Sequence, residues 1–258
     1  MKVSVVIPTF NRAAVLARSV RSVQLQTLGP SEIIVVDDGS SDGTQELVAE
    51  LASEDSRIRY VHQPNGGAPS ARNHGARLAT GDLISFQDSD DEWEPQFLEL
   101  VSPQTDTRVV AFSSHRIHHR DGTSADVPKH AVRDVPRALR RTNIISTQTA
   151  VMPRSLALQY PFDESLRRFQ DWDLWLTMLG GGVAFVHVPI PLVTLHREAD
   201  SISEGSPRVR SDSLKMIAKK HRDLLSDDLY AKGRLFIRAY ARGRGTGDRR
   251  ARARGAGT

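Results

Sequence analysis

Along residues 1–100 the chain alternates between short, almost wholly apolar runs and longer stretches with apolar residues every three or four positions. The run KVSVVIP is rich in β-branched residues and predicts a strand; AAVLARSVRSVQLQT after it has helical spacing. EIIVVDD is apolar until its end, the pattern of a strand covered on both faces. SDGTQELVAELASED opens with turn chemistry, offers Ser41 or Asp42 as a cap, and continues as a helix. RIRYVHQ predicts a third strand, APSARNHGARLATG a helix closed by Gly81, and DLISFQD a fourth strand. Strand and helix alternating at this spacing imply an α/β fold with a mostly parallel central sheet and helices on both faces.

Beyond residue 100 the alternation loosens. TRVVAFSSHRI predicts a strand, HHRDGTSADVPKHAV a polar excursion, and NIISTQTAVMP another strand. DWDLWLTMLGG reads as a short helix, VAFVHVP and PLVTLHRE as two strands, and residues 207–224 as a terminal helix. The expected organisation is one domain over residues 1–225, with a regular half at 1–100 and a mixed half at 101–225. An extension follows at 226–258.

Composition narrows the class. The 258 residues are 39% hydrophobic and 26% charged, an ordinary soluble composition long enough for one large core or one core plus a small annex. No window approaches the length of an uninterrupted apolar span, so no transmembrane helix is expected. The start MKVSVVIPTF is too short for a leader and is broken by Pro8 and Asn11. There is no cysteine, which removes disulfides and thiolate metal sites and fits a cytoplasmic protein. Of the net charge of +4, residues 241–258 supply +5 (six Arg, one Asp), leaving the body at −1. The high isoelectric point is therefore no ground for a nucleic-acid-binding body. The Arg/Gly/Ala tail is expected to be a disordered, solvated end, with peripheral contact to an anionic partner as its functional alternative.

Three polar sets follow predicted strands, where open α/β sheets bind ligands. They are PTFNR (Pro8, Thr9, Phe10, Asn11 and Arg12), DDGSSDG, and DSDDE. In the last, Asp88, Asp90, Asp91 and Glu92 crowd four carboxylates into five positions. Burying such charges unpaired costs several kcal/mol, so the cluster calls for a cation or a set of donors. Oxygen ligands with no soft donor suit Mg2+ or Mn2+. An EF-hand does not fit, because Trp93 stands where its loop needs glycine. A phosphatase-like Asp-x-Asp pair competes, as does a plain helix N-terminus with Asp91, Glu92 and Glu94 ahead of Pro95. The glycines and serines of DDGSSDG read equally well as turn and cap chemistry, which leaves the two acids directly after a buried strand unexplained. His115, His118 and His119 resemble a metal cluster but adjoin Arg116 and Arg120 in an expected surface loop.

In this order, VSVVIPTFNR, EIIVVDDGSSDGT, NGGAPSARNHG, ATGDLISFQDSDDEW and FDESLRRFQDWDLWLTML resemble family 2 glycosyltransferases of the GT-A fold, over roughly residues 1–200. The resemblance implies a Rossmann-like sheet whose mixed C-terminal half serves the acceptor. It also implies a nucleotide-diphosphate-sugar donor (a UDP-sugar foremost), Mn2+ or Mg2+ at an Asp-x-Asp motif, and inversion at the anomeric carbon. By position, Pro8, Thr9, Phe10, Arg12, Asp38, Arg72, Asp88 and Asp90 match nucleotide contacts, with Asp38 matching the one that reads the base. Asp90, Asp91 and His196 match metal ligands, and Asp171 in FQDWDLW matches the catalytic base. Gln170 stands where a Glu is usual, and Gln170 and Trp172 are placed against the sugar or acceptor.

The residue types suit that chemistry in their own right. Loss of a nucleoside diphosphate builds negative charge that a dication neutralises, and an attacking hydroxyl needs a carboxylate to take its proton. Phe169, Trp172 and Trp175 offer a wall against water. Asp173 competes with Asp171 for the base's role, and Trp172 and Trp175 share a helical face that serves either core or sugar. The rival reading is a nucleotidyltransferase or another nucleotide-binding protein on a similar sheet. The former would carry a Gly-rich loop where this chain has PTFNR.

Overall fold

The computed structural model describes residues 1–119, 121–196 and 207–226. Arg120, residues 197–206 and the extension from 227 onward, including the Arg/Gly tail at 241–258, lie outside the described residues.

Strands β1 (Val3–Thr9) and β2 (Glu32–Asp37) are buried along their whole length. Helices α1 (Ala13–Gln24), α2 (Thr44–Glu54) and α3 (Ala68–Leu78) alternate with them and with β3 (Ile58–His62) and β4 (Leu83–Phe86). These are the elements the periodicity predicts. Strand β1 pairs in parallel with β2 and β4, and β2 with β3. Val5, Ile7, Ile33 and Val35 pack with Leu16, Val20 and Val48 of α1 and α2. Val6, Ile34 and Val36 turn the other way and meet Ala71 and Ala76 of α3. Cover on both faces is why these strands read as unbroken apolar runs.

The mixed half begins with β5 (Glu92–Trp93) and α4 (Phe97–Val101), then β6 (Val109–His118), β7 (Ser124–Val127) and α5 (Val135–Arg141). It continues with β8 (Ala150–Pro153), α6 (Arg154–Gln159), α7 (Gln170–Gly180) and β9 (Ala184–His196). Helices α8 (Pro207–Lys220) and α9 (Arg222–Ser226) close the described chain. One sheet runs β3-β2-β1-β4-β8-β6-β9-β5, with β7 beside β6. Strand β8 is antiparallel to β4 and β6, and β5 to β9, whereas β6 and β9 are parallel. The two halves of the sequence therefore share one sheet, parallel at one end and mixed at the other.

Several local expectations change. Gly43 caps α2, not Ser41 or Asp42; Asp42 instead accepts the N–H groups of Ala13 (3.0 Å) and Thr44 (3.1 Å), joining the starts of α1 and α2. The polar excursion after β6 contains β7, a four-residue strand too short to announce itself by period. NIISTQTAVMP is strand only from Ala150, after a 3-10 turn at Thr147–Thr149. The two strands expected near residue 190 are one, β9, whose register against β6 shifts opposite Ser114 and Pro191. Proline lacks the ladder N–H, so it interrupts pairing without ending the strand. The terminal helix divides at His221.

Candidate active site

Strands β1 and β2 end level, Thr9 opposite Asp37, and β4 ends at Phe86 opposite Val6. PTFNR, DDGSSDG and DSDDE consequently leave the sheet at one edge. Asn11 binds the second loop there: its N–H donates to Ser40 Oγ (2.8 Å) and its Oδ1 accepts from the N–H of Ser41 (2.8 Å). Pro8 lies within β1, Phe10 is exposed, and Arg12 stands directly ahead of α1. Thr9 Oγ1 is buried with no hydrogen-bond partner among the described residues.

The two acids after β2 have different surroundings. Asp37 accepts from the Tyr60 hydroxyl (2.7 Å) and the Ser40 N–H (2.8 Å), which fixes the turn. Asp38 is only 3% exposed. Its Oδ1 accepts from Gln63 Nε2 (2.8 Å) and the Gly66 N–H (2.8 Å), and its Oδ2 from the Gly67 N–H (2.7 Å). Gly67 has φ 88°, a left-handed conformation natural to glycine, and the loop turns two N–H groups onto one carboxylate. Each carboxylate oxygen accepts about two bonds, so Oδ1 is filled and Oδ2 keeps one position. His74 Nδ1 lies 2.8 Å from Gln63 Oε1 and orients that amide. Sequence reasoning passed over Gln63, which belongs to none of the quoted motifs, and gave no role to His74, although it lies within NGGAPSARNHG.

The acidic loop is pinned to α1 through its carbonyls, that of Asp88 by Ser19 Oγ (2.8 Å) and that of Asp90 by Arg18 Nη2 (2.6 Å). Asp88 Oδ1 receives Arg72 Nη2 at 2.5 Å, and the Arg72 guanidinium lies 5.4 Å from the Phe162 ring centroid. Asp91 is 5% exposed; its Oδ1 accepts the His196 N–H (2.9 Å) and its Oδ2 the Gln148 Nε2 (2.5 Å). Burial, and then the charges of Asp88 and Asp90, push the Asp91 carboxyl well above the usual carboxylate range, against those two hydrogen bonds. A dication relieves this kind of crowding, and the all-oxygen set at 88–91 fits a hard one. Among the described residues, however, no three His, Cys, Asp or Glu side chains form a ready-made metal shell. The structure gives the His196 ring to Glu92, with Nε2 2.7 Å from Oε1, and only the His196 N–H reaches Asp91.

Asp171 lies in the first turn of α7, partly exposed. Its Oδ2 accepts from Asn143 Nδ2 (2.7 Å) and its Oδ1 from the Trp172 N–H (2.8 Å). Burial raises its pKa, opposed by those two bonds and by the charge of Arg72, while the charge of Asp88 adds to the rise. Asp171 thus feels the Arg72–Asp88 pair, which brings the expected base and the acidic loop into one site. Asn143, invisible to the sequence patterns, is its orienting partner.

Other candidates resolve differently. Asp173 turns toward α8, where it accepts from Lys220 Nζ (2.7 Å) and pairs with His221 Nε2 (2.8 Å). Gln170 donates to the Leu166 carbonyl (2.8 Å) and holds the turn before α7. Trp172 is 3% exposed and donates its indole N–H to the Leu139 carbonyl (2.7 Å), so its ring is core and has no face for a sugar. Trp175 is likewise buried, bonded to the Ile145 carbonyl (2.9 Å). His115 and His118 lie on β6, not in a loop. Burial lowers the pKa of His115 to about 4, and His118 Nδ1 lies 2.7 Å from Ser124 Oγ.

A mixed α/β sheet with a buried carboxylate and an acidic loop at one edge defines a GT-A architecture. The chain belongs to glycosyl transferase family 2, whose profile matches residues 4–169. A putative teichuronic acid biosynthesis glycosyltransferase, TuaG of Bacillus subtilis, is 34% identical over 185 residues, covering 70% of this chain and 73% of that one. An uncharacterized glycosyltransferase of Nostoc is 34% identical over 128 residues, 49% of this chain. The matches span 40% of the Nostoc protein and 30% of a Rickettsia conorii glycosyltransferase. Among solved structures, S. aureus TarS in complex with UDP-GlcNAc superposes with TM-score 0.70 at 19% identity, over 92% of this chain and 73% of that one. A Pyrobaculum calidifontis mannosyltransferase in complex with GDP-Man and Mn2+ gives 0.70 at 20%, over 93% and 73%. These likenesses establish the fold. No described helix is long and apolar enough to cross a membrane.

Proposed function

We propose that this chain transfers a sugar from a nucleotide diphosphate, a UDP-sugar, to an acceptor nucleophile, with inversion and with Asp171 as base. The observation that carries this reading is Asp171 itself: oriented by Asn143 and coupled to Arg72 and Asp88 beside the acidic loop. A carboxylate with a raised pKa, its oxygens aimed by two donors, suits proton removal from an attacking hydroxyl. Thr9, with its buried unpaired hydroxyl, and Arg72, with a buried unpaired Nε, have polar atoms left for a nucleotide.

Asp38 supports a base with an imide N–H, uracil foremost and thymine next. Its one remaining acceptor position takes a single N–H, such as the imide of uracil. Cytosine has no N–H at that ring position. Guanine presents adjacent donors that need both carboxylate oxygens, and Oδ1 is already filled. Asp88, Asp90 and Asp91 would hold Mn2+ or Mg2+ with the donor's diphosphate, and the ion would supply charge neutralisation for the leaving group. This set omits His196, whose ring is engaged by Glu92.

The test is release of nucleoside diphosphate from UDP-, GDP- and dTDP-sugars, with and without Mn2+. We expect UDP release, stimulated by Mn2+ and lost in Asp171→Asn. Formation of a sugar nucleotide from a nucleoside triphosphate and a sugar phosphate, with pyrophosphate released, would establish a nucleotidyltransferase instead.

A further inference from the structure

Three donors meet the Asp38 carboxylate, and two of them, the N–H groups of Gly66 and Gly67, belong to the backbone. The third is the Gln63 side chain, whose Nε2 donates to Oδ1 at 2.8 Å. Gln63 directly follows β3, and its own N–H donates to the Asp37 carbonyl (2.9 Å), which holds its backbone against the end of β2. A carboxylate only accepts, so the amide turns its nitrogen to Asp38 and its oxygen away. That oxygen meets His74 Nδ1 at 2.8 Å, and because it too only accepts, Nδ1 carries the proton. Gln63 is 9% exposed. The amide is thus fastened at both ends, with its donor spent on the carboxylate oxygen that Gly66 also fills.

We propose that Gln63 is a specificity-determining residue: it limits to one the N–H groups that a donor's base can give to Asp38, and so excludes guanine. This rests on the reading of Asp38 as the group that meets the base. A base with one N–H takes the position left on Oδ2. Guanine carries a ring N–H with an exocyclic amino group beside it, and a carboxylate takes both only through both of its oxygens. With Gln63 in place the amino group faces another N–H, and is left without an acceptor where water had served it. Without the amide, Oδ1 regains an acceptor position together with the space beside it. Two donors then fit where one did. Positions 66 and 67 offer no such choice, because every residue but proline supplies the same backbone N–H. Position 63 is where a change of side chain changes the count.

Inosine diphosphate isolates the effect, because hypoxanthine keeps guanine's ring system and ring N–H and lacks only the amino group. Calorimetry in Mn2+ titrates the full chain and Gln63→Ala with UDP, CDP, inosine diphosphate and GDP. The parent should bind inosine diphosphate about tenfold tighter than GDP, the effect of one unmet amino group. Gln63→Ala should reverse that order, with GDP ahead by about tenfold through one charge-assisted bond, and should keep the preference for UDP over CDP. A merely structural role would weaken all four nucleotides together and leave their ratios as in the parent, which overturns the proposal. A parent that binds the two purine nucleotides equally overturns it as well, whether or not the variant folds. Binding of neither purine nucleotide, by parent or variant, assigns the exclusion to ring size and also overturns it. In each of these cases a parent that prefers UDP to CDP leaves Asp38 as the reader of the base. A parent that binds UDP and CDP alike removes that reading, and the role of Gln63 with it.

Discussion

Asp171 and Asp173 are two residues apart on one helix, and in the sequence only the family resemblance favours Asp171. Their surroundings separate them: Asp173 is spent on Lys220 and His221 of the α8–α9 junction, and Asp171 on Asn143 beside the acidic loop. We expect Asp171→Asn to lower kcat by roughly two to four orders of magnitude, the contribution of a positioned general base, with donor affinity unchanged. A kinetic comparison that finds near-parent kcat would remove Asp171 from that role. The base works deprotonated, so activity falls as pH drops through its pKa, which burial has raised. The Asn143 bond favours the charged form; removing it in Asn143→Ala raises that pKa further. The acid limb of kcat/KM should therefore move to higher pH, and a pH profile that does not shift would refute the positioning role. Asn143 carries no local signal because its function comes from a contact 28 positions away in sequence.

Helix α3 carries three of these groups, Arg72, Asn73 and His74, and seats them by lying close on the sheet. A Cβ on Gly75 would overlap a methyl of Val6 and press on Val36, so the helix has no slack there. Asn73 clips it to the segment that follows α6, donating to the Phe162 carbonyl (3.0 Å) and accepting the Phe162 N–H (2.8 Å). Gly75→Ala should cost about 1–3 kcal/mol by overpacking, a fall of several degrees in melting temperature for a chain of this size. UDP binding should weaken with it, as Arg72 shifts one turn away. An unchanged melting curve would contradict this account of α3. The N-terminal elements were legible because continuous strands and amphipathic helices write their period into the chain. The mixed half was less so: β5 and β7 have two and four residues, and β9 hides its continuity behind Pro189 and Pro191. The motif acids could be found by pattern. The burial of Trp172 and the pairing of His196 with Glu92 could not, because both come from tertiary packing with residues remote in sequence.

Across the whole molecule, charge and chemistry are separated. Residues 241–258 hold +5 of the net +4, and every group assigned to the site lies in the remainder. Deleting 241–258 should leave turnover on a soluble acceptor unchanged. A loss seen at low salt and absent at high salt would give the tail a part in recruiting an anionic acceptor. The central claim is narrower: one crevice at the sheet edge reads uridine through the last free position on Asp38 and holds its diphosphate at the acidic loop. Calorimetric titration of the parent chain with UDP, CDP and GDP in Mn2+ tests it directly. An unpaired buried group costs about 1–3 kcal/mol, so UDP should bind at least about tenfold tighter than either competitor. Equal affinities, or a preference for GDP, would contradict it.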